Sequence, residues 1–227
     1  MVFCLGSKKD KRSVFFMRTK TFEDIQRQEN EKIIREVLIE QYFSFTFEGF
    51  SLHEHGEYTE IVCCVCVTNE KGDLIGRRDI TGSGRGPVDA LFNSFIREYV
   101  SDCVSLERLL VEEFYIFVDE KDLRRRIREG KTGTDAMVKT CLVINNGNDT
   151  LIPFRSERRS VILAMLDVVF SAVEFFINSE RAIHSLREYI RHAEERNRQD
   201  LVKEYTLKMA QLVKNASFVE SLRGLKD

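Results

Sequence analysis

Gly82-Ser83-Gly84-Arg85-Gly86-Pro87-Val88-Asp89-Ala90-Leu91-Phe92 is the stretch on which the fold turns. Three alternate glycines run into a proline, and a proline is tolerated in the first helical turn, where its missing N–H has no partner to lose. Val88, Leu91, Phe92, Phe95, Ile96 and Tyr99 then recur at helical spacing, so a helix opens at Pro87 and buries one face. The glycines predict a tight strand-to-helix turn, with Gly84 and Gly86 in backbone conformations that a side chain disfavours. A phosphate loop would need Lys-Ser/Thr after the last glycine, and Pro87-Val88 stand there. A dinucleotide fingerprint would need a third glycine where Pro87 lies, in a parallel strand–helix–strand setting. What survives is a helix N-terminus whose free N–H groups suit an anion.

Upstream, Phe43, Phe45 and Phe47 alternate with Ser44, Thr46 and Glu48, the pattern of a half-buried strand. His55-Gly56 makes a turn into a second strand over 58–68, apolar enough to suggest burial on both faces. Residues 69–73 turn again, and 74–81 form a third strand. Downstream the order repeats: strands over 109–118, 136–145 and 151–154, then a helix from about Arg158. Ala90 aligns with Ala164 at an offset of 74 residues, and Thr59 with Asp135 at 76. The fold class is therefore α+β: two β-β-β-α units in a pseudo-twofold arrangement, flanked by N- and C-terminal helices.

The boundaries that follow are a polar mobile tail over 1–20, an N-terminal helix over 21–42 and a paired-unit domain over 43–178. Thr21 caps the first helix, with Asp24 three residues on. Unit one covers about 43–101 and unit two about 104–178, with a charged insertion, Asp119 to Lys131, that has no counterpart in unit one. That insertion carries Arg124, Arg125, Arg126 and Arg128 and reads as a solvated face offset by neighbouring acids, the alternative being contact with an anionic ligand. A helical extension occupies 179–227, as two helices or one long one.

Of 227 residues, 43% are hydrophobic and 32% charged, with a formal net charge of -2. Seventeen Phe exclude global disorder, and near-neutral charge removes the general attraction to nucleic acid. No apolar run of membrane-spanning length is present in the sequence pattern, and the basic cluster near the start follows its apolar residues, the reverse of a secretory signal. A cytoplasmic location is expected, with the six cysteines reduced and used as small core residues. Cys63, Cys64 and Cys66 lack zinc spacing and are far along the strand from His53. No triad order, zinc-protease motif or paired-carboxylate setting occurs, so neither catalytic residues nor a metal or cofactor are expected.

Gly-Ser-Gly-Arg-Gly-Pro-Val-Asp-Ala, together with the Gly133-Thr134-Asp135-Ala136 stretch before a strand, resembles the C-terminal regulatory (allosteric, dimerisation) domain of 2-isopropylmalate synthase and its citramalate and homocitrate relatives. The resemblance covers about residues 43–178. It implies two packed β-β-β-α units, commonly a homodimer, that bind a branched-chain amino acid and inhibit an attached catalytic barrel. It also implies effector contacts from Val111, Phe114 and Val118 on the strand opening unit two, with Asp135 and the turn before the second helix. That turn reads Phe154-Arg155-Ser156-Glu157-Arg158-Arg159-Ser160-Val161, where the family has glycines and a capping acid, so Arg158 or Arg159 would meet an anion such as a 2-oxo acid. Gly82, Gly84, Gly86, Pro87 and Asp89 form the matching turn of unit one. With 42 residues before the domain, no barrel is expected in this chain, and any synthase activity would need a separate synthase barrel as partner. The alternative is a dimerisation adaptor whose ligand site has decayed.

Overall fold

A computed structural model describes residues 21–131, 136–148 and 150–215. The tail assigned to 1–20, the Asp135 marker and residues 216–227 lie outside the described residues. Two three-stranded antiparallel sheets form, each followed by a helix. In unit one β1 (Ser44–Glu54), β2 (Thr59–Thr68) and β3 (Leu74–Gly84) lead to α2 (Pro87–Tyr99), after the N-terminal helix α1 (Phe22–Leu38). In unit two β4 (Leu110–Val118), a short helix α3 (Glu120–Arg128), β5 (Val138–Asn145) and β6 (Leu151–Arg158) lead to α4 (Val161–Glu195). A last helix, α5, spans Gln199–Asn215. The order within each sheet is β1-β2-β3 and β4-β5-β6. Pro87 and Val161, which open the two unit helices, are 74 residues apart, the offset read between Ala90 and Ala164.

Local chemistry accounts for the ends. Thr21 caps α1 reciprocally with Asp24, each side chain accepting the other's backbone N–H. Ser160 caps α4 through Leu163 N–H. The hairpin turns use left-handed glycines at Gly56, Gly72 and Gly147.

The strand over β2 is buried on one face only. Ile61, Cys63, Val65 and Val67 are covered, while Val62, Cys64 and Cys66 are half-buried on the other. Two-sided burial was the wrong reading because β2 belongs to a sheet with a helix on a single side. His53 pairs with Glu60, four residues along β2 from Cys64. The five described cysteines are free. Burial pushes the thiols of Cys63, Cys103 and Cys141 up to about 12, which leaves them as unreactive packing groups.

The units meet through their helices. Phe45 of β1, Phe95 of α2 and Phe170 of α4 form one cluster, with centroids 4.8 Å, 5.3 Å and 5.6 Å apart. Asn178 of α4 brackets Phe43, accepting its N–H at 2.9 Å and donating to its carbonyl at 2.7 Å. Glu180 accepts the N–H of Ser105 at 3.0 Å in the turn that opens unit two. The long helix α4 therefore runs unbroken through the boundary placed at 178/179, because its apolar side remains covered beyond Asn178 by α1 and α5. Its most apolar stretch is long and apolar enough to cross a membrane, and 67% of it is buried within the fold.

Candidate functional site

Gly82 and Gly84 lie inside β3 rather than in a turn, and neither they nor Gly86 adopts a positive φ. Gly86 is extended (φ -176°) and precedes Pro87 as the N-cap of α2. The conformational reading of this run is thus corrected, and the reason for glycine is steric. A Cβ on Gly82 would stand 2.2 Å from Ser94 Oγ, and one on Gly84 would stand 2.4 Å from the backbone nitrogen of Ala90. The glycines let α2 lie directly on β3. Asp89 closes the turn, accepting Arg85 N–H at 2.9 Å and the Asn93 amide at 2.9 Å. A carboxylate of the chain itself therefore occupies the start of this helix, which weakens the anion-site reading.

The strand opening unit two is more informative. In a regular strand Val111 and Phe114, three apart, would point to opposite faces. β4 carries a bulge at Glu112, between Val111 paired with Ile144 and Glu113 paired with Val143. The extra residue resets the alternation. Val111, Phe114, Ile116 and Val118 consequently share one face, opposite Ile144, Leu142, Thr140 and Val138. That face looks toward α4, since Thr140 donates to the Ala164 carbonyl at 3.1 Å. Helix α4 packs over β5 and β6 and leaves β4 largely uncovered. Val111, Phe114 and Ile116 are half-buried and Val118 is 49% exposed. β1 repeats the pattern: a bulge at Glu48 aligns Phe45 and Phe47 with Phe50 and Leu52, of which the last three are only partly covered.

Register places Val118, Val138 and Arg158 on one rung at the same end of the sheet. At about 4.8 Å per strand, Val118 and Arg158 stand about 10 Å apart. Three residues beyond Arg158, α4 begins with Val161, Ile162 and Leu163, which are 47%, 51% and 41% exposed. Of the three β4 residues named from the sequence, Val118 thus lies at the end of the sheet where α4 starts, whereas Val111 lies on the rung of Ile144 and Ile152 at the other end.

The charged segment before α4 is mostly strand, since β6 runs to Arg158. Its charges are also paired. Arg155 crosses to the buried carboxylate of Asp24 on α1. Arg158 meets Asp167, whose carboxylate also accepts Ser156 Oγ at 2.8 Å and raises the Arg158 pKa. Arg158 is therefore neither buried alone nor offered to an anion, and the case for an oxo acid at this residue falls away. Arg159 is exposed and has partners of its own.

Asp167, Ile116 and the α4 residues Glu174, Asn178 and Glu180 escaped the sequence reading. The last three were visible as polar interruptions of an apolar helix, and each reaches the backbone of another element. Among the described residues, no group of three or more His, Cys, Asp or Glu side chains could hold a metal ion. Two hollows lie away from β4: a groove of about 430 Å³ on α3, and a crevice of about 10 Å³ between α1 and β6. Compared with known proteins, the chain matches no family model, and no curated protein matches it.

Proposed function

We propose that the chain is a non-catalytic regulatory module that pairs with a second copy and takes a small apolar acid, a branched-chain amino acid or its 2-oxo acid, against β4. The observation that carries this reading is the bulge-aligned strip of Val111, Phe114, Ile116 and Val118, only partly covered, whose Val118 end shares a rung with Arg158, three residues before exposed Val161. Apolar surface of this kind is stabilised by being covered, at about 25 cal/mol per Å². In one copy the strip is an open shelf. A second copy laid on it would turn the shelf into a pocket for a ligand of a few carbons. The resemblance at Gly82 to Asp89 points to the same kind of module, with a separate synthase barrel as the partner it would regulate.

The test is a thermal-shift series with leucine, isoleucine, valine and their 2-oxo acids. A ligand held by the folded state alone stabilises by about 2.7 kcal/mol at a hundredfold excess over Kd. For a chain of this size that raises Tm by several degrees. One ligand should shift Tm, and Phe114→Ala should abolish the shift while keeping the fold. No shift at millimolar concentration from any of the six compounds would sink the ligand half of the proposal.

A second reading, a dimerising adaptor without ligand, is favoured by one observation: Arg158 is engaged by Asp167 instead of facing the strip. An intact dimer that shows no ligand shift would select it.

A further inference from the structure

We propose that α3 binds a ligand carrying two or more linked phosphate groups. This inference goes beyond the regulatory reading and stands without it, because α3 belongs to the insertion that unit one lacks. The helix stands in the connection between β4 and β5, beside the Val118–Val138 rung, and is anchored there by two acids. Asp119 accepts the N–H of Lys121 at 2.9 Å and that of Asp122 at 3.3 Å, and pairs with Lys139 at 2.9 Å. Asp122 accepts Met137 N–H at 3.0 Å. Both carboxylates are held below the usual range by these bonds, Asp119 chiefly by Lys139 and Asp122 chiefly by the Met137 N–H. Asp119 is thus engaged with the hairpin, and Asp122 is divided between the hairpin and Arg125.

The outward face of α3 is cationic. At 100° per residue, Arg124, Arg128, Lys121 and Arg125 fall within an arc of about 100°, spread along about 10 Å of axis. They line the groove of about 430 Å³ together with one acid, Glu129. Arg125 is shared between Asp122 and Glu129, and Arg124 stands 3.5 Å from Glu120. Lys121 and Arg128 have no acidic side chain within 4 Å among the described residues. A helix C-terminus favours cations, which accounts for Arg125 and Arg128 on structural grounds alone. It does not account for Lys121, which sits in the first turn, where the helix dipole disfavours a positive charge.

The spacing selects the ligand. Neighbouring cations at i, i+3 and i+4 lie about 5–6 Å apart at Cβ, a row suited to linked charges rather than to one carboxylate. Guanidinium forks match phosphate oxygens in pairs. A nucleic acid would call for a wider positive field than one nine-residue helix on a chain of net charge -2.

Isothermal titration of the full chain at 150 mM NaCl (roughly physiological ionic strength) with sodium tripolyphosphate, ATP and inorganic phosphate tests the proposal. Tripolyphosphate should bind at least tenfold more tightly than inorganic phosphate, and the Arg124→Glu/Arg128→Glu double variant should lose that advantage with an unchanged Tm. Both side chains are exposed, so the fold should tolerate the change; Lys121→Glu alone, with a severalfold loss, provides a milder check. ATP binding above tripolyphosphate would assign a free nucleotide as the source. Binding to vesicles containing phosphatidylinositol bisphosphate in place of ATP would assign a lipid headgroup. Equal affinity for inorganic phosphate and tripolyphosphate, no binding of any probe at millimolar concentration, or full binding by the folded double variant would each overturn the site.

Discussion

Glu174 of α4 accepts the backbone N–H of Phe45, so a carboxylate from the second unit holds the opening strand of the first. Burial drives its pKa from 4.5 to about 7, with the Phe45 N–H and Arg35 opposing, and Glu31 and Asp167 adding to the rise. A carboxyl raised in the folded state binds its proton more tightly there than in the unfolded chain. Its contribution is therefore complete below about pH 4.5 and is lost as pH climbs through about 7. After allowance for its partial exposure, the loss is on the order of 2 kcal/mol.

The melting temperature should accordingly fall between pH 5 and 8. The lowered carboxyls of Asp119 and Asp122 act only below their own range, so they do not obscure this window. Glu174→Gln, which retains an acceptor for Phe45, should flatten the profile. Parallel pH profiles for parent and variant would show that Glu174 is not the titrating group.

Gly84→Ala should destabilise the fold through overpacking, because the new Cβ meets the Ala90 backbone, which cannot rotate away. Such clashes cost about 1–3 kcal/mol, or several degrees in Tm for a chain of this size. Gly86→Ser should be nearly neutral, since Gly86 is extended and serine is a good N-cap. Thermal melts of the two variants decide the matter; equal losses would mean that the close approach of α2 to β3 is not what the glycines serve.

Asn30 on α1 is 1% exposed, and neither atom of its amide has a hydrogen-bond partner. Burying an amide in that condition costs about 1–3 kcal/mol. Asn30→Leu should leave the stability unchanged or raise it, as read by urea midpoint. A loss above about 1 kcal/mol would show that the amide is satisfied in solution.

The α+β order, the helix starts and the Thr21 cap were legible because each depends on local period or capping chemistry. The site was only partly legible. Val111, Phe114 and Val118 were singled out by resemblance, yet their common face depends on the bulge at Glu112, which no periodicity in β4 announces. The Gly82–Gly86 run misled for a related reason. Glycine composition reports that a side chain is unwelcome, but does not say whether φ or a neighbouring helix excludes it. Arg158 looked like an unpaired charge because its partner, Asp167, lies on an element nine residues away and is recognisable only once α4 folds back over β6.

Ile162→Glu separates an interface from an idle apolar surface. Ile162 is 51% exposed at the start of α4, so a glutamate there loses little packing within one copy. An acid in the first helical turn is also favoured by the dipole, by about 0.3–1 kcal/mol. The isolated fold should therefore melt at the parent temperature or slightly above. If the strip formed by β4 and the start of α4 joins two copies, the same change puts two charges into a covered apolar surface, where an unpaired charge costs several kcal/mol. Each 1.4 kcal/mol is a tenfold change in dissociation constant, so the dimer should weaken by a hundredfold or more. Light scattering across a dilution series reads this directly: a parent dimer and a variant monomer of unchanged Tm place the interface on this strip. A variant that stays dimeric at every concentration moves the pairing surface elsewhere and leaves β4 without a covering partner.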